Sequence, residues 1–237
     1  MAKHLSAAPI ASSAPVGPVG GMLVWFKADA ITGLSDNSGL ATWLDSSGNG
    51  NTASQATGAL QPTYYTTTHS LNGLPVVWWT DATRYMTTST LSTSPLSTGT
   101  VFAVAAFNSS LGSYQYLMDG GDSTHRWAMG TGIDNVGNMA LGAGSTIEYP
   151  FLDGGSHVWT YLVNGASSAI RLDGWTIVTG NTGSDQLEAI TLGNNYEPVI
   201  NNGAGPYLAE LILYNGILTN AQIQQNETYL NHKWSLG

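Results

Sequence analysis

The chain contains no cysteine. That excludes a disulfide framework and any thiolate metal site. Charge is scarce too: only 9% of the 237 residues are Asp, Glu, Lys or Arg, against roughly a quarter in average proteins. Just six are basic, they are scattered, and the formal net charge is −9. No Lys/Arg patch for a phosphate backbone can be built from them, so nucleic-acid binding is not expected. No apolar run reaches the length of a membrane span. Pro9, Pro15 and Pro18 break up the N-terminal stretch, which lacks the compact apolar core of a signal peptide, and Sec export is not expected.

What the chain does have is Gly, Ser, Thr and Asn in quantity, a composition that fits short strands joined by polar turns. Residues 1–21 read as an extended arm of Ala, Ser, Pro, Val and Gly with little to bury, and 22–237 as one globular domain. Strands are expected at Met22–Ala28, ending at Trp43-Leu44, after Pro75, and at Val101–Phe107, Tyr114–Met118 and Gln186–Gly193. Asn194–Pro206 is expected to be a long loop. Asn164-Gly165 and Asp173-Gly174 are two-residue hairpin signals. Centring each turn on its pair sets Val163 opposite Ala166, Tyr161 opposite Ser168 and Trp159 opposite Ile170. The second turn sets Leu172 opposite Trp175 and Ile170 opposite Ile177. Trp159, Tyr161, Val163, Ile170, Leu172, Trp175 and Ile177 then share one face and form the expected core.

Tyr207–Tyr214 is apolar on both faces except for Glu210, as expected of a central strand covered on two sides. After Asn215-Gly216, Thr219 and Gln222 have capping-box spacing, with Leu218 and Ile223 placed as a hydrophobic staple. Ile223, Leu230 and Trp234 fall on one face of the helix that follows.

This closing block resembles that of LamG-like domains in the concanavalin A-like lectin/glucanase superfamily, where a similar strand precedes a short helix. LVWFKADA (Leu23–Ala30), WLDSSGNGN (Trp43–Asn51), QPTY (Gln61–Tyr64) and LNGLPVVWW (Leu71–Trp79) are similar to the family's opening segments, in the same order. The resemblance spans nearly the whole chain. It implies an all-β, antiparallel jelly-roll β-sandwich, here with an extended N-terminal arm and one short C-terminal helix. Fold does not fix function, since this architecture serves lectins, hydrolases, adhesins and virion proteins.

Hydrolases of this fold place their carboxylates on one strand as Glu-x-Asp-x-x-Glu, because alternate residues face one cleft. Glu148, Glu188, Glu197, Glu210 and Glu227 each lack a carboxylate two residues away, and Glu210 reads as a structural carboxylate. Gly121-Asp122-Ser123 and Asp122-x-x-His125 are similar to the two blocks of one esterase family, but they overlap on the same residues and cannot supply a triad. No catalytic residue is assigned. His4, His69, His125, His157 and His232 show no metal-ligand spacing. No metal or cofactor is assigned either. Calcium held by loop oxygens of Asp45, Asn49 and Asn51, or of Asp119 and Asp122, is the alternative left open beside simple Asx turns. Asn108 and Asn226 head glycosylation sequons that read as accidental without an export signal.

Sugar recognition needs planar amides or carboxylates for hydroxyls and an aromatic face for stacking. Asn194, Asn195, Tyr196, Glu197, Asn201 and Asn202 offer that mixture in one loop. Asp134, Asn135 and Asn138 are a poorer second group. In the arm, Leu5, Ile10, Val16 and Val19 are the apolar points for docking on a neighbouring subunit. The leading expectation is a non-enzymatic structural or decoration protein on a bacteriophage capsid or tail surface. Its arm would bind other virion subunits, and the same chain could also form a homo-oligomer. The alternative is a carbohydrate-binding module acting on cell-surface glycans, in an extracellular location. A glycoside hydrolase comes third.

Overall fold

A computed structural model describes residues 17–108, 114–133, 137–151, 153–197 and 205–236. Within them the chain forms β1 (Val24–Lys27), β2 (Ser38–Gly39), β3 (Thr42–Trp43), β4 (Ala53–Ser54), β5 (Thr63–Tyr65), β6 (Val76–Trp78), β7 (Met86–Thr88) and β8 (Gly99–Ala106). Then follow β9 (Gln115–Asp119), β10 (Ala128–Thr131), β11 (Asn138–Gly142), β12 (Thr146–Pro150), β13 (Ser156–Val163), β14 (Ser168–Leu172), β15 (Trp175–Gly180), β16 (Thr191–Leu192) and β17 (Tyr207–Asn215). Helix α1 (Asn220–Trp234) closes the fold.

The strands make an antiparallel sandwich of two sheets, as expected. The larger sheet runs β15-β14-β13-β8-β17-β6-β5-β2, with β1 also paired to β17; the smaller runs β12-β11-β10-β9-β16-β7-β4-β3. First and last strands therefore meet directly, Trp25 opposite Ile212 and Lys27 opposite Glu210. The core between the sheets is built on large side chains, including the fully buried Trp43, Trp79, Trp127 and Trp159. A second apolar layer lies between the larger sheet and α1, where Phe102, Val104, Ile212 and Tyr214 meet Ile223, Leu230 and Trp234. Covered on both faces, β8 and β17 are apolar at nearly every position, which is why neither shows a period of two in sequence.

The cap of α1 forms as expected: the Thr219 side chain accepts from the Gln222 backbone N–H, and Gln222 Oε1 accepts from Thr219 N–H at 2.9 Å. Such a cap contributes about 1 kcal/mol.

The β13–β14 hairpin differs from the sequence expectation. Tyr161 pairs with Ile170 and Trp159 with Leu172, because Gly165–Ser167 form a 3-10 turn instead of closing at Asn164-Gly165. Tyr161 moves from Ser168 to Ile170, a slip of two residues, so every side chain keeps its face. Trp159, Tyr161, Val163 and Ile170 are buried accordingly. Across the next turn Leu172 opposes Trp175 as expected, but a bulge after Ile170 sets that residue against Val178 instead of Ile177. Trp175, placed in the core on sequence grounds, is 78% exposed. It stands at the tip of the edge hairpin, where the opposite sheet no longer covers it. The strand expected over Gln186–Gly193 shrinks to Thr191–Leu192, and β10, β11 and β12 occupy a region where no strand is expected from sequence.

Candidate functional site

The smaller sheet turns alternate residues of β9 to β12 outward. Trp127, Met129, Met139, Leu141 and Ile147 fill the core, while Ala128 and Gly142, paired across β10 and β11, lie on the outer face. Two such small residues leave a trough. Tyr116, Arg126, Ile133, Thr146, Ser123, Gly144 and Asp185 complete its walls around a volume of about 380 Å³.

One wall is an ion pair. Arg126 donates through Nη2 to Asp119 Oδ2 at 2.7 Å and through Nε to Oδ1 at 3.1 Å. The Asp119 side chain is fully buried and also accepts the backbone N–H of Gly120 and of Tyr196, at 2.7 and 3.2 Å. Burial disfavours the charged guanidinium, but the Asp119 carboxylate outweighs it and holds Arg126 protonated more firmly than usual. Burial, with Asp119 nearby, likewise raises the Tyr116 phenol. The Arg126 guanidinium also lies 4.6 Å from the Tyr196 ring centroid, a cation–π contact.

That contact joins part of the Asn-rich loop to the trough, though not by the residues expected to hold a sugar. Asn194 and Asn195 are buried, at 3% and 1% exposure. Asn194 donates to the Ala82 carbonyl at 2.9 Å and accepts the Asn195 N–H. Their amides shape the loop instead of facing solvent, which corrects their assignment as ligand contacts. Tyr196 is half-buried beside the trough and Glu197 is exposed. Asn201, Asn202, Asp134 and Asn135 lie outside the described residues; Asn138 donates to Glu148 Oε2 at 3.0 Å.

The two carboxylate sets considered for calcium are occupied by donors. Asp45 accepts the N–H groups of Trp25, Ser47 and Asn51, each at 2.9 Å, and the Ser47 hydroxyl at 2.7 Å. Asn49 and Asn51 turn their amide nitrogens to the Leu23 carbonyl, at 3.1 and 2.8 Å. The turn therefore pins β1. Asp119 faces Arg126, whereas Asp122 caps the N–H groups of Thr124 and His125 at 2.7 and 2.9 Å. Asp122, His125 and Glu188 offer donor atoms within 4.8 Å of one another. His125 bridges them, Nδ1 to Asp122 and Nε2 to Glu188 at 3.0 and 3.4 Å. Its pKa is raised, first by the Asp122 hydrogen bond, as suits an imidazolium between carboxylates.

Glu210 is structural, accepting from the indole N–H groups of Trp25 and Trp234 and from Lys233 Nζ. Val19, assigned to a partner-binding arm, is instead tied to its own domain. Its N–H donates to Asn226 Oδ1 at 3.0 Å and its carbonyl accepts from the Tyr214 hydroxyl at 2.6 Å. Gln225 holds the Gly17 carbonyl at 2.9 Å. Leu5, Ile10 and Val16 lie outside the described residues. Asn226 of the second sequon is fully buried.

No family model matches the sequence, and no curated protein does. The fold is similar to solved structures. Trypanosoma rangeli sialidase in complex with sialic acid aligns with 96% of this chain at 12% identity and a TM-score of 0.60. The chain spans about a third of that protein, 35% of its length. Domain 4 of AbnA, a GH43 extracellular arabinanase from Geobacillus stearothermophilus in complex with arabinotriose, matches over 87% of this chain and 98% of its own, at 14% identity and a TM-score of 0.56. The botulinum neurotoxin serotype D ligand-binding domain, in complex with N-acetylneuraminic acid, matches over 89% of this chain and 51% of its own, at 10% identity and a TM-score of 0.56. At such identities the likeness is one of fold, an antiparallel β-sandwich of two sheets.

Sequence reasoning missed the trough. Its signal was present in Trp127-Ala-Met-Gly130 and Met139-Ala-Leu-Gly142, where large and small residues alternate. That is the pattern of a strand with a filled inner face and a bare outer one.

Proposed function

We propose that this chain is a non-catalytic carbohydrate-binding β-sandwich that holds a glycan in the trough across β9 to β12. The observation that carries this reading is the trough itself. Its floor is bare at Ala128 and Gly142, while Tyr116, Ser123, Arg126, Thr146 and Asp185 line it with hydroxyl, guanidinium and carboxylate groups. Small floor residues let a flat, hydroxyl-rich ring approach the backbone, and convergent polar groups orient it. Support comes from the neighbours of this fold, several of which carry sugars. Arguing for binding over turnover, the trough lining holds one carboxylate, Asp185, and Asp119 behind it is committed to Arg126, whereas glycosidases need two free carboxyls at working separation.

The test is binding of the full chain to a glycan array, followed by titration of any hit against Ala128→Leu and Thr146→Val. Ala128→Leu fills the floor and should abolish binding; Thr146→Val should weaken it about ten-fold, the worth of one good hydrogen bond. Hits that both variants retain at full affinity would move the site elsewhere, and an array with no hit would remove the reading.

A role on a virion surface, or in another large assembly, with residues 1–21 as an anchor and a LamG-like domain displayed, is a second proposal. It rests on the composition of the arm. The hydrogen bonds of Gly17 and Val19 to their own domain confine any such anchor to the residues before them. Deleting residues 1–16 should then abolish incorporation into the particle while leaving the fold intact.

A further inference from the structure

Resting on the glycan reading, we propose that the trough selects neutral, hydroxyl-rich sugars and rejects those bearing a carboxylate or sulfate. The lining carries one cation, Arg126. In sugar sites a free guanidinium is the group that would grip an acid, because its paired N–H donors match two carboxylate oxygens. Here the Nε/Nη2 edge is spent and the guanidinium's charge is balanced by Asp119. Nε and Nη2 both point at Asp119, whose side chain is fully buried and so cannot swing aside into solvent. The guanidinium also packs against the Tyr196 ring.

With Arg126 neutralised by Asp119, the charge left in the trough lining is Asp185. Its backbone is fixed, N–H to the Ala143 carbonyl at 2.9 Å and carbonyl to the Trp127 indole at 2.9 Å. Its side chain makes no direct ion pair among the described residues, although its charge reaches His125, and it lies beside Gly144, where an added Cβ would stand 3.0 Å from Oδ1. An anchored carboxylate with open oxygens accepts from sugar hydroxyls, and two oxygens suit a pair of adjacent ones. It repels a ligand carboxylate. Asp122 and Glu188, at the neighbouring His125, and the chain's formal net charge of −9 extend the same sign of field.

The experiment measures affinity of the full chain for neutral gluco-, galacto- and arabino-oligosaccharides beside matched oligosaccharides ending in a uronic acid or N-acetylneuraminic acid. Wild type should bind the neutral member of a pair on the order of ten-fold more tightly, an effect that one like charge produces in a partly solvated site. Asp185→Asn, isosteric and without a buried partner to orphan, should narrow that gap by improving the acidic member. Asp119→Asn, where it folds, should reverse the preference by freeing Arg126. Tighter wild-type binding to the acidic member, or a gap unchanged in Asp185→Asn, overturns the selectivity while leaving glycan binding in place. Binding to neither member removes the glycan reading and the selectivity with it.

Discussion

Trp25 and Trp234, from the first strand and the last helix, donate their indole N–H groups to the same carboxylate, that of Glu210, at 2.6 and 2.8 Å. Glu210 is fully buried, and Lys233 supplies its counter-charge at 2.7 Å. One acidic side chain therefore ties together β1, β17 and α1, the three elements that close the sandwich at its chain ends.

Glu210→Ala should accordingly cost about 2–4 kcal/mol, since two indole donors lose their acceptor at once and each stranded donor costs roughly 1–3. Lys233 keeps Asp29 at 2.9 Å, which limits the loss. Glu210→Gln, retaining an acceptor oxygen, should cost less. Urea unfolding of the two variants against wild type checks the order; equal losses would show that charge, not hydrogen bonding, is what matters there.

His157 makes stability depend on pH. Its Nδ1 lies 2.6 Å from Asp173 and its Nε2 3.1 Å from Asp153. The Asp173 hydrogen bond is the main reason its pKa is raised, with burial opposing. A raised folded-state value means that the stabilisation is complete below the unfolded value of about 6.5 and is lost as pH rises through the folded value. On the acid side, burial pushes Asp153 up, but the Gly155 N–H and His157 outweigh it and hold the carboxyl below its usual range. That contribution is present above the unfolded value of about 3.9 and disappears as pH falls through the lowered one. Melting temperatures of wild type and His157→Gln should differ most between these limits, near pH 5, and converge toward pH 9. A difference independent of pH would mean that His157 acts by packing alone.

Gly193 sits at the entrance to the Asn194–Tyr196 loop with φ +78, and an added Cβ would run into the Trp79 indole. Gly193→Ala combines left-handed strain, about 1–2 kcal/mol, with overpacking, about 1–3 kcal/mol. Gly216 has φ +95 but open space around it, so Gly216→Ala should show the strain alone. Chemical denaturation should therefore find Gly193→Ala the worse by about 1–3 kcal/mol. Equal losses would show that the core beneath the loop yields freely.

The β-sandwich class was implied by the resemblance to LamG-like domains, whereas the sequence by itself determined the cap and buried face of α1, the doubly covered strand β17 and the structural role of Glu210. These follow from local chemistry: a capping box needs four consecutive residues, and a doubly covered strand announces itself by unbroken apolarity. Turn position was less secure. Asn164-Gly165 signalled a hairpin, yet its 3-10 turn moved the register by two residues, which alternation cannot detect because both registers present the same face. Only the tertiary structure decided the candidate site. Asp119 and Arg126 are joined across a loop, Tyr196 arrives from a distant segment, and Asp185 closes the wall from another. Asn194 and Asn195 looked like surface ligands until burial showed their amides turned to the backbone. Which polar groups face solvent depends on what packs over them, and that is settled only when both sheets and their loops are in place.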